Sequence, residues 1–395
     1  MKCCIISTLY PPNIVGGAEK VAEKLATELV KSGHDVTAIT LHGSSETKNE
    51  MRDGVNVYYL PIDNIYWPFH ISAKPSPVKR LLWHLIDMWN FKAAQRVGKI
   101  FDKAKPDILY CHNLTGFSVA VWAEAKKRGI KIVHTLHDYS LLCPRGTLMK
   151  HGKMCQTRCA ACAGLSVSKY VASHMVDDVV GVSRFVASQH MQRGYFKNAK
   201  QSVIYNSCEL PVPIDAHNHM SNGTFTFGFI GRVEQEKGID VLLEATTQLP
   251  NNNWRLLVAG RGLDAYVEGL KIKYPNSNIE WLGFVEPNHF YTKIDVLIVP
   301  SIWPEPFPLV IAEASARNIP VIISDMGGMP EYLNMGVHGV CVSAGDVSRL
   351  AHEMRDALAG SGLMAAKVNN DDACRNKLST AVFLERYLAC YKAHS

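Results

Sequence analysis

GFIGRVEQEKGID, residues 228–240, reads as the end of a buried strand, a tight loop and the start of a helix. Phe225–Ile230 is a nearly unbroken apolar run, the pattern of a parallel strand covered on both faces. Gly231 lets the backbone turn after that strand, and Gly238 stands where the helix begins. The same alternation continues downstream through strands at Arg255–Ala259, Ile279–Leu282, Val296–Val299 and Val321–Ser324, with a helix from about Leu309. Upstream, the apolar run holding Ile5 and Ile6 leads into a loop with Pro11, Pro12, Gly16 and Gly17. A helix follows whose buried stripe is Val21, Ala22, Leu25 and Leu29, spaced three and four apart. Further strands are expected at Val36–Leu41, Ile108–Cys111, Ile130–Thr135 and Val179–Val182. Strands alternating with helices make an α/β protein of doubly wound parallel sheets. The polar, turn-rich stretch Cys208–Gly223, with Pro211, Pro213, Asn218 and Asn222, breaks the pattern as a linker does. Two domains are expected, at residues 1–208 and 209–375, facing a cleft. A last helical segment is expected at residues 376–395, running from Asn376 to Lys392.

Composition agrees. A chain of 395 residues, 47% hydrophobic and 20% charged, can bury two cores. Strand-like residues follow Met1 at once, without the basic and apolar leader of an exported protein. The longest uncharged run, Ile108–Ala123, falls short of the ~20 residues a membrane helix needs. Eleven cysteines, an odd number, imply reduced thiols in a cytoplasm rather than a disulfide framework. The net charge of +6 is mild; it suits an anionic membrane surface or a phosphorylated substrate, and nothing indicates nucleic acid.

Chemistry concentrates in two stretches. In PSIWPEPFPLVIAEASA, residues 300–316, Glu305 lies in a proline-rich loop after a buried strand and Glu313 on the helix that follows. Ligands of open parallel sheets bind beyond the carboxyl ends of the strands, where this loop is placed. A helix starting near Leu309 offers free N–H groups and a positive dipole end to a diphosphate. A carboxylate can accept two hydroxyl hydrogen bonds at once, so it reads polyols well. In residues 228–240, Arg232 and Lys237 put two cations at a strand's carboxyl end, where a leaving diphosphate gains most from them. Either pair alone is an ordinary surface feature; both in one domain, each after a buried strand, point to a site.

These residues resemble the retaining glycosyltransferases of family four, whose GT-B fold sets two Rossmann-like domains face to face. The likeness runs through nearly the whole chain and is densest from Gly228 to Gly339. It includes ELPVP after IYNS with Asn206, GRVEQEKG, the Glu305/Glu313 pair, and GGMPE with the later Gly339. The resemblance implies a nucleotide-diphosphate sugar as donor. It implies that Arg232 and Lys237 hold the diphosphate, Glu305 the sugar and Glu313 the ribose, and that the last helix crosses back to the N-terminal domain. Where the family often has glycine this chain has Pro308, which has no N–H to give, so backbone contacts there fall to Phe307, Leu309 or Val310. Gly16 and Gly17 open a helix and can cradle an anion; the family uses this loop near the donor phosphates or acceptor. His137 and Asp138 follow a strand, and the resemblance places a histidine beside the reacting sugar; His112 reads as structural. Arg261–Leu263 and Gly283 are expected near the base.

No N-terminal carboxylate stands out as a covalent nucleophile, so attack from the leaving-group face is preferred, with the departing phosphate taking the acceptor's proton. No Asp-x-Asp occurs, which favours catalysis without a metal-bridged diphosphate and no required cofactor. An epimerase or a sugar phosphorylase can share this fold, but no pyridoxal-phosphate lysine or epimerase carboxylates are identifiable. A non-catalytic scaffold is the remaining alternative, against which the intact quartet speaks.

Two features lie outside the donor motifs. Cys143, Cys155, Cys159 and Cys162 either fill a structural zinc site or are metal-free thiols. Residues 79–105 mix Lys and Arg with Leu, Trp83, Trp89 and Phe91. Leu82, Ile86, Trp89 and Ala93 share one helical face that either lies in a membrane interface or packs on the sheet. The resemblance implies a glycan or lipid-linked acceptor of the cell envelope and a cytoplasmic enzyme, with a peripheral place on the cytoplasmic face of the membrane as an option.

Overall fold

The computed structural model describes residues 1–69, 75–150, 152–208, 223–250, 253–365 and 372–392. It divides into two compact units, one of residues 1–150, 155–205 and 383–395, the other of residues 151–154 and 206–382. The linker residues 209–222 lie outside the described residues.

The first unit contains, in chain order, β1 (Lys2–Ser7), α1 (Gly17–Lys31), β2 (Asp35–His42), β3 (Lys48–Arg52), β4 (Val55–Pro61), α2 (Pro77–Met88), α3 (Phe91–Ala104) and β5 (Ile108–Asn113). Then come α4 (Ala120–Lys127), β6 (Lys131–Leu136), the short β7 (Met149–Lys150) and β8 (Lys153–Met154), α5 (Ala160–Leu165), α6 (Val167–Ala172), β9 (Asp178–Gly181), α7 (Arg184–Met191) and β10 (Lys200–Val203). Its sheet runs β10-β9-β6-β5-β1-β2-β4-β3, all parallel except the edge strand β3. The expected stripe of α1, Val21, Ala22, Leu25 and Leu29, is buried against Ile5, Val36 and Tyr110 of that sheet.

The second unit has β11 (Phe225–Ile230), α8 (Ile239–Thr246), β12 (Trp254–Ala259), α9 (Asp264–Lys273), β13 (Ile279–Gly283), α10 (Pro287–Tyr291) and β14 (Val296–Val299). It continues with α11 (Leu309–Ser315), β15 (Val321–Ser324), α12 (Pro330–Asn334), β16 (Gly339–Val342), α13 (Val347–Leu358), α14 (Asp372–Lys377) and α15 (Thr380–Lys392). Its six strands are parallel in the order β13-β12-β11-β14-β15-β16, which is the doubly wound order 3-2-1-4-5-6. Phe227, Phe229, Leu242, Leu256, Val296 and Ile298 form its core. The end of α15 belongs to the first unit: Phe383, Tyr387 and Cys390 are buried in that unit's core.

One helical expectation is corrected. Residues 79–105 form two helices, because Asn90 accepts the Ala93 N–H (3.1 Å) and gives its own side-chain N–H to the Asp63 carbonyl (2.8 Å). This cap starts α3 afresh, so Leu82, Ile86, Trp89 and Ala93 do not make one stripe; Ala93 is buried and Leu82 exposed. Among the described residues no helix is long and apolar enough to cross a membrane.

Candidate active site

In an open doubly wound sheet the crevice opens where the strand order reverses, here beyond the ends of β11 and β14 in the second unit. The β11 loop carries Arg232 and Lys237, and the β14 loop carries Glu305. Lys237 ends a 3-10 turn, Gln235–Lys237. Its Nζ lies 2.6 Å from Glu305 Oε1, which also accepts the Ser301 hydroxyl at 2.6 Å. The carboxylate side chain is only 6% exposed and the ammonium 18%. The Trp303 ring lies 5.2 Å from Lys237 Nζ and covers the cation.

Two close backbone approaches hold these loops. Gly238 adopts φ +72°, and a Cβ there would stand 1.9 Å from the Pro300 carbonyl oxygen. Gly327, at φ +65°, would put a Cβ 2.1 Å from the Glu305 carbonyl oxygen, and the neighbouring Gly328 N–H donates to that same oxygen (2.7 Å). Only glycine fits both places.

The other expected donor residues are placed separately. Arg232 is half exposed and pairs with Glu234 (2.9 Å), not with Glu305. Glu313, on α11, accepts the Tyr291 hydroxyl at 2.8 Å. Phe307 is buried and stacks on Tyr332 with ring centroids 4.1 Å apart, so its ring is core and only its backbone can meet a ligand. Pro308 is the N-cap of α11, and Leu309 and Val310 open its first turn, where N–H groups have no intrahelical acceptor.

In the first unit the corresponding reversal lies beyond β1 and β5. Thr8 donates to Asn113 Oδ1 (3.0 Å), and Asn113 donates to Asp138 Oδ2 (3.0 Å). His112 Nδ1 and His137 Nε2 are 2.8 Å apart, so one ring donates and the tautomer of each fixes the other's. Burial keeps both rings neutral, with His137 pushed down to about 3 and His112 well below its ordinary value. His112, expected as structural, is thus the direct partner of His137. The Gly16 N–H donates to Glu19 Oε2 (2.8 Å), a capping-box contact that occupies the N–H expected to meet an anion.

A pocket of this unit is lined by His112, Asn113, Thr115, His137, Asp138 and Ser140, and also by Asp87 and Lys169, which sequence reading missed. Asp87 accepts the Gly116 N–H (2.7 Å) and faces Lys169 Nζ at 3.6 Å; burial pushes its carboxyl up to about 6. A signal existed: Asp87 is the single acid between Asn64 and Phe101.

Of the two readings of the cysteines, zinc is the unsupported one. Among the described residues no group of three or more His, Cys, Asp or Glu is placed to hold a metal ion. Cys143 is buried, whereas Cys159 is exposed at the start of α5, its thiol held below the ordinary range by N–H donors of the helix.

Comparison with known proteins gives these units a lineage. The Glycosyl transferase 4-like domain matches residues 16–207 and the family Glycosyl transferases group 1 matches residues 214–371. A relative, an uncharacterised 42.6 kDa protein in the cps region of Klebsiella pneumoniae, is 36% identical over 84% of this chain and 87% of its own. The chain belongs to the group 1 glycosyltransferases. An uncharacterised glycosyltransferase of Methanocaldococcus jannaschii is 27% identical over 94% of this glycosyltransferase and 92% of its own length. Among solved structures, sucrose-phosphate synthase of Thermosynechococcus elongatus superposes with a TM-score of 0.77 at 18% identity, covering 99% of this chain and 98% of its own. Anabaena HepE, solved with UDP and glucose, gives 0.70 at 18% identity, covering both chains fully. These similarities establish the GT-B fold.

Proposed function

We propose that this glycosyltransferase moves a hexose from a nucleotide-diphosphate sugar onto a glycan or lipid-linked acceptor in cell-envelope polysaccharide synthesis, retaining the anomeric configuration. The observation that carries the reading is the buried Lys237–Glu305–Ser301 cluster at the strand-order reversal of the second unit. The relative in a cps region and the neighbour solved with UDP and glucose support the substrate class.

An ammonium has three donors, and Glu305 takes one of Lys237's. The other two can meet phosphate oxygens of the donor, with Arg232 swinging from Glu234 to join them. Glu305, oriented by Ser301 and Lys237, is then a fixed acceptor for sugar hydroxyls, and Glu313 for the ribose. Gly231 and the backbone of Phe307, Leu309 and Val310 complete the donor contacts of the second unit. The bond from the anomeric carbon to the phosphate oxygen breaks and the acceptor oxygen bonds that carbon from the same face. The acceptor's proton passes to the departing phosphate, whose charge Lys237 and Arg232 stabilise. His137, neutral and locked to His112, donates or accepts a hydrogen bond without carrying charge.

The test is nucleotide diphosphate release from a panel of nucleotide sugars, with the product anomer read by NMR. Lys237→Ala, Arg232→Ala and Glu305→Ala are each expected to lower turnover about 10²–10³-fold while the chain stays folded. Near-normal turnover in any of them removes that residue's role, and an inverted anomer removes the same-face mechanism. No release and no thermal shift with any donor would favour a scaffold.

A further inference from the structure

Two loops shape the pocket of the first unit, residues 114–119 after β5 and residues 137–140 after β6. His112 with His137, and Asn113 with Asp138, join the two strand ends directly. A second join comes from outside the sheet. Asp87, near the end of α2, accepts the Gly116 N–H of the first loop at 2.7 Å. Lys169, on α6, donates to the Ser140 carbonyl of the second loop at 3.1 Å. The two side chains face each other at 3.6 Å, so carboxylate and ammonium link one loop to the other.

The link closes into a ring. The Ser140 N–H donates to Asp138 Oδ1 (2.7 Å), Asn113 donates to Asp138 Oδ2 (3.0 Å), and Asn113 Oδ1 accepts the N–H of Thr115 (2.9 Å), the neighbour of Gly116. The helices are fixed in their turn. The Asn90 N–H just beyond α2 meets the Ser118 hydroxyl (2.8 Å), and the Ser168 hydroxyl of α6 meets the Met88 carbonyl of α2 (2.7 Å). A shift of either loop therefore has to break the ring.

The pair at its centre is not there for stability. Asp87 is 3% exposed and the Lys169 side chain 13%, so both have given up most of their water. Apolar side chains in place of such a pair are often neutral or stabilising. Burial pushes the Asp87 carboxyl up to about 6, although Lys169 and the Gly116 N–H pull the other way. The other titratable groups around the pair are Asp138 and three histidines, His84, His112 and His137, all pushed below the ordinary histidine value, first by burial. Because the folded value of Asp87 lies above the unfolded one, the folded chain holds the proton more tightly, and stability falls as pH rises through about 6. At neutral pH the charge is kept at a cost to folding. What it holds is the spacing of the loops that bear His137 and Asp138.

We propose that Asp87 and Lys169 are positioning residues for glycosyl transfer, an ion-paired strut between the β5 and β6 loops that holds His137 and Asp138 in place for the reacting sugar. The catalytic half of this rests on the transferase reading; the strut itself rests on the ring of contacts.

The test compares wild type with two variants. Asp87→Asn can still accept the Gly116 N–H but has no charge for Lys169, and Asp87→Asn with Lys169→Met leaves no unpaired ammonium. Each is expected to lower kcat for nucleotide diphosphate release from the nucleotide-sugar panel at least about tenfold, since a shift of about 1 Å can cost 10²-fold. The KM for the donor is expected to stay unchanged, as for a group that acts only in the transition state. Wild-type kcat is expected to fall as pH drops through about 6, where protonation breaks the pair, and Asp87→Asn is expected to lack that limb. The double variant is expected to unfold no earlier than wild type at pH 7. In both variants, hydrogen exchange of residues 113–119 and 137–142 is expected to quicken. Should the double variant fail to fold, Asp87→Asn carries the same readouts. The proposal is overturned if the variants keep near-normal kcat, if the acid limb persists unchanged in Asp87→Asn, or if the two loops exchange as in wild type. Exchange needs no donor, so a wild type that releases no nucleotide diphosphate removes the transferase reading alone, and exchange then decides the strut.

Discussion

Lys237 and Glu305 lie 68 positions apart, yet each was legible because each follows an apolar strand of one sheet type. Their direct pairing was not legible, since it depends on which strands are neighbours. Removing the cation leaves a nearly dry carboxylate supported by Ser301 alone. Lys237→Met is therefore expected to destabilise the fold by about 2 kcal/mol, less than a fully buried pair because the ammonium keeps some water. Glu305→Gln removes the charge that needed pairing, and the double variant is expected to cost less than the sum of the singles, as denaturant unfolding would show. Asp87 stood out as a lone acid, but its pairing with Lys169 escaped sequence reading because nothing along the chain relates α2 to α6. Histidines make a second residue-scale case. His134, stacked on Phe196, is pushed down to about 3 and His190 to about 4, both by burial. Their folded values lie below the unfolded value near 6.5, so the unfolded chain takes up more protons as pH falls. Stability is expected to be full above about pH 6.5 and to decline as pH drops toward 4, by up to about 1.4 kcal/mol per unit per histidine. His190→Gln should flatten that decline; a decline of unchanged slope would show that other groups cause it.

Elements were readable wherever one period dominated. The strand–loop–helix passage through Gly238 and the helix beginning at Leu309 stand where the apolar pattern puts them. The hairpin of β3 and β4 was missed because β3, KNEMR, is a polar edge strand with no alternation to detect. The break at Asn90 was missed because apolar spacing runs across it and only the cap interrupts the backbone. The cysteine spacing left zinc and free thiols both open, and spacing alone could not choose, because it does not say whether the thiols converge in metal geometry; among the described residues none do. At this scale Gly238 and Gly327 seat the two loops that carry Lys237 and Glu305. Gly238→Ala faces a left-handed backbone and a carbonyl oxygen 1.9 Å from its new methyl group, so the loop must leave β14's end. The expected outcome is a loss of at least about 2 kcal/mol in stability together with a raised KM for the donor. Gly269→Ala, at a helical position with nothing near its Cβ, should be neutral or stabilising in the same assays.

At the scale of the whole chain, each sheet reverses strand order beside its own first strand, and each unit gathers polar side chains at its own reversal. One segment ignores the chain's order: α15, last in sequence, completes the core of the first unit. Tyr387 is wholly buried, its hydroxyl meets Thr135 Oγ1 at 3.0 Å, and its carbonyl accepts the Tyr110 hydroxyl at 3.2 Å. With Phe383 and Cys390 it packs beside Ile5, Tyr110 and Val133, which belong to the first, central and sixth strands. Tyr387→Ala removes a large aromatic side chain and leaves Thr135 without its partner, a change worth about 3–5 kcal/mol. For a unit of this size that is expected to lower the melting temperature by about 6–20 °C. Hydrogen exchange can locate the damage. Peptides from β1, β5 and β6 are expected to lose protection in Tyr387→Ala, while those from β11, β12 and β14 keep theirs, because Tyr387 belongs to the first unit's core cluster and those strands to the second's. Equal loss across both sheets would mean that the helix stabilises the chain in some way other than by filling the first unit's core.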